Sequence, residues 1–97
     1  MRKYERQVAA GIALLDQKGP KGWRAKVLRA IKRGIFDMSR ADCCALGCVF
    51  GYYSLGTRAL GLPLDDVTCG FYISEKEDGV SHKYPALQRE WLRQLGA

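Results

Sequence analysis

The sequence contains no long hydrophobic run, and this absence argues against a membrane-spanning segment. A helix needs about 18 or more mostly apolar residues to cross a bilayer, and no stretch of the 97 residues approaches that length. Glu5, Arg6 and Asp16 interrupt the first part of the chain, so it does not resemble a secretory signal peptide. We therefore expect a cytoplasmic protein without a transmembrane segment.

The sequence also lacks the motifs of the common enzyme classes. It has no G-x-S-x-G elbow, no P-loop, no dinucleotide fingerprint and no H-E-x-x-H pair. A Cys–His nucleophile pair would need His82, the single histidine of the chain. Because His82 lies in a polar segment, where a lone histidine is usually solvated, we assign no catalytic residue and expect no cofactor.

Four cysteines occur without a secretory signal, which favours free thiols in a reducing compartment. Cys44 and Cys48 are four residues apart, and with Cys69 and His82 they could complete a Cys3His zinc site. Their spacing differs from the two-residue knuckle typical of zinc sites. Buried thiols that behave as small apolar side chains are therefore the favoured interpretation, and a small zinc-binding protein is the alternative.

Positive charge is concentrated in one segment. The chain has a net charge of +6, and residues 17–36 contain no acidic residue. Helical spacing over residues 23–33 places an apolar stripe opposite a basic side. The basic positions are Lys21, Lys26, Arg29, Lys32 and Arg33. They predict a nucleic-acid, membrane-surface or acidic-protein partner, with a merely solvated surface as the alternative.

Nucleic-acid binding through this basic helix would be weakly specific. Lysine and arginine are sufficient for phosphate contacts. Proteins that recognise base edges usually also use asparagine or glutamine side chains on an exposed helix. Residues 21–33 contain neither. A nucleic-acid-binding protein is therefore the second functional hypothesis, after a protein-interaction module.

Apolar spacing predicts an all-α single domain over residues 1–97. We expect one helix from about residue 2 to 16, a second over 23–33 with Gly34 as its C′ residue, and a last helix that starts at Pro85. Between them, residues 43–58 are apolar nearly all round, which predicts a buried central helix. The expected architecture is a compact bundle of about four helices around this segment.

Two local features complete the predicted fold. Ser39 and Asp42 have the spacing of a capping box before the central helix. Small residues at 47, 51 and 54 predict a close helix crossing, because they let another backbone approach. For residues 71–83, Asp78-Gly79 suits the turn of a small β-hairpin, while the neighbouring polar residues suit a plain loop.

A set of residues along most of the chain follows a recognisable pattern. It comprises Cys44-Ala45-Leu46-Gly47 and Gly51-Tyr52-Tyr53, parts of residues 6–16 and 36–38, and Trp23, Gly70-Phe71, Tyr84, Leu87 and Trp91. In these residues, and most specifically in the central stretch, the chain resembles a family of small proteins from actinobacteria and their phages, including mycobacteriophages. Cys48 departs from the pattern, which has glutamine there. The resemblance implies an origin in a phage or a phage-bearing actinobacterium, and a viral protein from a bacteriophage would act in the host cytoplasm. It also implies, by analogy, a non-catalytic protein-interaction module directed at a host protein. The sequence specifies no oligomeric state.

Overall fold

The structure is a computed structural model that describes residues 3–74 and 80–97, without the side chains of 80–82. These residues form five α-helices and no β-strand. The helices are α1 (Glu5–Lys18), α2 (Trp23–Lys32), α3 (Ala45–Phe50), α4 (Tyr53–Leu60) and α5 (Val80–Leu95). The prediction of an all-α protein is confirmed. In this described part of the chain, no helix combines the length and the apolar character needed to span a membrane.

Every helix contributes to one hydrophobic core. Helix α1 packs against α4 and α5, and α3 packs against α2 and α4. The most deeply buried apolar side chains are Val8, Leu15, Val27, Leu46, Leu60, Leu87 and Trp91. Burial of such apolar surface is the main favourable contribution to the free energy of folding.

Helix α2 ends as its sequence predicts. Gly34 adopts a left-handed conformation with φ 74° and donates its N–H to the carbonyl of Ile31 at 3.0 Å. The N–H of Ile35 bonds to the carbonyl of Ala30 at 3.1 Å. These two bonds form a Schellman motif, which satisfies carbonyls at the end of the helix. The motif turns the chain so that Ile35 leaves the helix axis, and its side chain is 53 % exposed.

The prediction of one central helix over residues 43–58 is wrong. The segment divides into α3 and α4 at Gly51, whose φ of 95° is accessible mainly to glycine. Only α3 is buried on most sides, with Ala45, Leu46 and Val49 in the core. Helix α4 instead exposes Tyr52 at its N-cap and Leu55. The apolar composition of the segment therefore reflects one buried helix followed by one half-exposed helix.

The capping box predicted for Ser39 and Asp42 is not formed. The carboxylate of Asp37 accepts the N–H of Ser39 at 2.9 Å and its hydroxyl at 2.6 Å, so Ser39 is held in a turn. The N-cap of α3 is Cys44, whose sulfur accepts the N–H of Gly47 at 3.3 Å. The helix therefore starts five residues later than the serine would have placed its N-cap.

Helix α5 begins before Pro85, contrary to the prediction. Its first residue is Val80, so residues 80–83 are helical and cannot form the second strand of a hairpin. Pro85 lies inside the helix, where it lacks the N–H that would bond to the carbonyl of residue 81. Residues 71–74 contain no strand, and the predicted turn at 78–79 lies outside the described residues.

Candidate functional site

The basic side chains predicted from the sequence lie on the surface. Lys21, Lys26, Arg29, Lys32 and Arg33 are all exposed. Within residues 3–74 and 80–97, none of the five forms an ion pair with an acidic side chain. Their neighbour Arg24 differs, because it lies 3.6 Å from the carboxylate of Asp16 and covers the ring of Trp23. The five predicted positions therefore carry positive charge that the described fold does not neutralise.

Three of these cations line a depression next to α2. Lys26, Arg29 and Arg33 surround a cavity of about 270 Å³. This cavity shares Ile35 and Cys43 with a larger cavity of about 670 Å³ that extends to α5. We call the two cavities together the basic groove. Lys21 and Lys32 are exposed outside its lining.

Apolar groups form part of the basic groove. Ile35 is 53 % exposed, because the Schellman motif directs it away from α2. On the opposite side, Tyr84, Pro85 and Leu92 of α5 line the larger cavity. The N–H of Met38 donates to the side-chain oxygen of Gln88 at 2.9 Å and ties the segment after α2 to α5. The groove thus combines a partly apolar surface with charged edges.

Positive charge exceeds negative charge in the groove. Besides the three cations of α2, Arg40 and Arg89 line the larger cavity, which makes five basic residues. The two acidic residues of the lining are Asp37 and Asp42. Asp42 lies 3.5 Å from Arg40. The hydrogen bonds from Ser39 to Asp37 lower the pKa of its carboxyl, so that acid stays ionised. Among the described residues of the lining, five positive and two negative charges leave a formal excess of +3.

The cysteines considered as zinc ligands bond to different neighbours. The Cys44 thiol contacts the carbonyl of Ala41 at 3.8 Å, and the Cys48 thiol contacts the carbonyl of Cys43 at 3.5 Å. The Cys69 sulfur lies 3.7 Å from the hydroxyl of Thr68. In the described part of the chain, no three His, Cys, Asp or Glu side chains converge as metal ligands. The side chain of His82 lies outside the described residues.

Burial makes the four thiols weakly acidic. It is the largest cause of a raised pKa at Cys43, Cys44, Cys48 and Cys69. At Cys48 the pKa rises to about 11. Because the thiolate is the nucleophilic form, these cysteines are poor candidates for nucleophiles at neutral pH.

We predict slow alkylation of Cys48 by iodoacetamide in the native protein. With a pKa near 11, its thiolate fraction should grow about tenfold per pH unit between pH 7.5 and 9.5. Alkylation is followed by tandem mass spectrometry, which separates Cys48 from the neighbouring cysteines. The protein in denaturant is the control and should react faster, with a rate that levels off above about pH 9. A native rate equal to the denatured rate would contradict the structure.

Comparison with known proteins assigns the chain to no group. No family model, no curated protein and no solved structure matches it. The function of the candidate site must therefore be inferred from the geometry of the site alone.

Charge patterning in the sequence did not point to the larger cavity of the groove. Arg89 lies far from the basic segment in sequence, and Arg40 follows that segment outside its helix, so the fold is needed to bring both to the same depression. The sequence contains no signal for the exposure of Ile35, because a C″ residue after a C′ glycine commonly packs on its own helix. Here that residue is 53 % exposed instead, so it is available to another molecule.

Proposed function

We propose that this protein is a non-catalytic interaction module that binds an acidic segment of a partner protein in the basic groove. The observation that carries the proposal is the triad Lys26, Arg29 and Arg33, which has no acidic partner among the described residues and lies beside the exposed Ile35. Such a surface complements a chain that carries both carboxylates and apolar side chains.

The apolar part of the groove favours a protein segment over a polyanion. Phosphate backbones need only basic contacts, and Ile35 and Leu92 would gain nothing from them. A peptide with leucine or a similar side chain would bury this apolar surface, at about 25 cal/mol per Å². Asp37 and Asp42 would repel the uniform charge of a phosphate backbone more than the spaced carboxylates of a peptide.

The resemblance to small proteins of actinobacteria and their phages supports a host protein as the partner. On this proposal the protein is phage-encoded and acts in the host cytoplasm. The host partner would present an acidic, partly apolar segment that a small basic protein can cover. Binding of this kind requires no catalytic residue and no cofactor.

The proposal predicts that charge reversal in the groove abolishes most binding. The variant Lys26→Glu/Arg29→Glu/Arg33→Glu should bind a short fluorescent peptide rich in Glu and Leu about 10- to 100-fold more weakly than the wild type. This estimate takes each exposed ion pair as worth about 0.5–1 kcal/mol. Stability should hardly change, because the three side chains are exposed. Fluorescence anisotropy at low and high salt measures the affinity, which should fall with added salt.

A second triple variant separates the groove from the total charge. Lys18→Glu/Lys21→Glu/Arg58→Glu alters the net charge by the same amount, and all three residues are exposed outside the groove lining. It should retain most of the affinity. Equal loss in both variants would show that only net charge matters, and no binding of the acidic peptide by the wild type would overturn the proposal.

Weakly specific binding of nucleic acid is the second candidate. It is supported by the exposed positions Lys21 and Lys32, which extend the positive surface of α2 beyond the groove. An electrophoretic mobility shift with non-specific duplex DNA at two salt concentrations tests it. A shift that both triple variants weaken would favour nucleic acid, because phosphate contacts spread over the whole surface. A wild-type protein that shifts no duplex at low salt would exclude this candidate.

A further inference from the structure

A third cavity, about 170 Å³ in volume, opens beside the basic groove. We call it the aromatic pocket, because four of its nine described lining residues carry aromatic rings. Those rings belong to Tyr53, Phe71, Tyr72 and Tyr84, and Met38 and Cys44 are the sulfur-containing residues of the lining. The pocket shares Ser39, Arg40 and Tyr84 with the larger cavity of the groove. The two cavities are therefore neighbours on the protein surface.

The hydroxyl groups of two of these tyrosines already form hydrogen bonds within the protein. The Tyr53 hydroxyl donates to the carbonyl of Leu64, and the Tyr84 hydroxyl accepts the N–H of Ile73 at 3.3 Å. The rings of Tyr53 and Tyr72 lie 6.3 Å apart and are tilted by 32°. The accessible ring surface therefore comes from the half-buried Tyr53, Tyr72 and Tyr84, since Phe71, Met38 and Cys44 are almost fully buried. Such ring surface interacts favourably with another aromatic ring.

The volume of the aromatic pocket is sufficient for one aromatic ring of a ligand. A protein cavity of about 150 Å³ lined by apolar side chains can hold benzene, and the aromatic pocket is slightly larger, at about 170 Å³. Because the pocket shares three lining residues with the groove, a peptide bound in the groove would have one side chain within reach of the pocket.

The charge near the opening of the aromatic pocket distinguishes between two kinds of ligand that bind to aromatic side chains. Aromatic cages often bind quaternary ammonium groups through cation–π interactions. Here Arg40 is the one charged side chain among the described residues that line the pocket, and Asp42 lies 3.5 Å from it without lining the pocket. Both side chains are more than half exposed, which weakens their attraction, and the groove beyond them has a positive excess among its described residues. A cationic ligand would be repelled, whereas an aromatic ring next to a carboxylate would be attracted to Arg40.

We propose that the aromatic pocket binds a phenylalanine or similar aromatic side chain of the partner, with an adjacent acidic residue at Arg40. This inference rests on the proposed function and adds a preference for the sequence of the partner segment. The partner segment carries one aromatic anchor, followed by carboxylates that reach Arg40, Arg89 and the cations of α2.

Small probes test the pocket independently of any partner. Phenylacetate titrated into ¹⁵N-labelled protein should shift the amide signals of Cys44, Tyr53 and Tyr72 in a saturable manner. Acetate should leave these signals unchanged, and benzylammonium should bind at least about tenfold more weakly because its charge is opposite. No shift with phenylacetate would overturn the proposal. Equal binding of benzylammonium would overturn its charge preference.

Peptides then connect the pocket to the groove. A Glu- and Leu-rich peptide with one Phe should bind the wild type about tenfold more tightly than the same peptide with Phe→Ala, which corresponds to about 1.4 kcal/mol. Ala41→Leu, which adds bulk at a residue lining the pocket, should remove this difference while retaining the affinity for the Phe→Ala peptide. Ala59→Leu is the matched control, because Ala59 is exposed on α4 outside the pocket lining.

The outcomes separate the two proposals. If both peptides bind equally to the wild type through the α2 cations, the proposed function stands and the aromatic pocket has no role. If phenylacetate binds in the pocket but neither peptide binds, the pocket is real and the proposed function fails. Loss of affinity for both peptides in Ala41→Leu would mean that this substitution disturbs the groove itself. The variant Arg40→Gln then tests the aromatic pocket instead. That variant should weaken phenylacetate binding, and unchanged phenylacetate binding would overturn the role of Arg40.

Discussion

Replacing Trp91 with alanine is expected to lower the free energy of unfolding by about 3–5 kcal/mol, the usual cost of removing a buried tryptophan. Trp91 has no exposed surface. Its indole N–H donates to the carbonyl of Gly70 at 2.7 Å, and its ring stacks on Phe71 at a centroid distance of 5.5 Å. The substitution removes the buried apolar surface, the hydrogen bond to Gly70 and the ring stacking on Phe71 at once. Urea denaturation followed by circular dichroism measures the change.

Two further variants separate the causes. Trp91→Phe keeps a ring in the core but leaves the buried carbonyl of Gly70 without this donor, so it should cost less than alanine, although still about 1–3 kcal/mol. Tyr52→Ala is the surface control, because Tyr52 is 50 % exposed, and it should change stability by less than about 0.5 kcal/mol. A cost below about 1 kcal/mol for Trp91→Ala would contradict the packing of α5 on residues 70–71.

This contact also supports the candidate site. Trp91 fixes Gly70 and Phe71 against α5, and the same segment presents Phe71 and Tyr72 to the aromatic pocket. Gly70 in turn lies against the backbone of Val8 in α1, where even a Cβ would come within 3.0 Å. The core therefore positions the part of the pocket wall that contains Phe71 and Tyr72.

Helix α2 was predictable because its signals are local. The apolar positions Trp23, Val27 and Ala30 are the buried ones, and Gly34 ends the helix through its own conformational freedom. The exposed cations follow from the same periodicity. Everything needed for this prediction lies within about a dozen consecutive residues.

Residues 39–60 were not predictable in the same way, because alternative local contacts compete and only the folded structure shows which of them form. The sequence offered Ser39 as an N-cap, but Asp37 holds that residue in a turn. Gly47 and Gly51 look equivalent in a helical stripe. The first is pressed against a neighbouring turn, whereas the second has nothing within 4 Å and ends the helix. Only the tertiary packing distinguishes them.

The groove illustrates the same limit for function. Its α2 wall could be predicted from charge patterning, whereas Arg40, Arg89 and the aromatic pocket come from segments that a one-dimensional pattern does not bring together. The four tyrosine and phenylalanine rings of the pocket are spread from residue 53 to residue 84. Each of them, taken alone in the sequence, is typical of an ordinary core position.

The second large effect is expected at Gly47, where alanine should lower the free energy of unfolding by about 2 kcal/mol. A Cβ at this position would lie 2.5 Å from the carbonyl carbon of Asp42 and 2.6 Å from the carbonyl oxygen of Ala41. These are backbone atoms, which cannot turn aside as a side chain would. Overpacking of this kind costs about 3 kcal/mol at the upper end of its range, and the better helix propensity of alanine returns only about 1 kcal/mol.

The turn that this substitution displaces carries part of the site. The carbonyl of Ala41 accepts the N–H of Tyr53 at 2.8 Å, so the turn is held between α3 and the start of α4. Arg40 and Cys43 on the same turn line the groove. Gly47→Ala should therefore weaken phenylacetate binding as well as stability. Ser54→Ala, an exposed position on α4, should alter stability by less than about 0.5 kcal/mol and leave phenylacetate binding unchanged. A stabilised Gly47→Ala protein would mean that helix propensity dominates and that the turn over residues 41–42 does not press on α3.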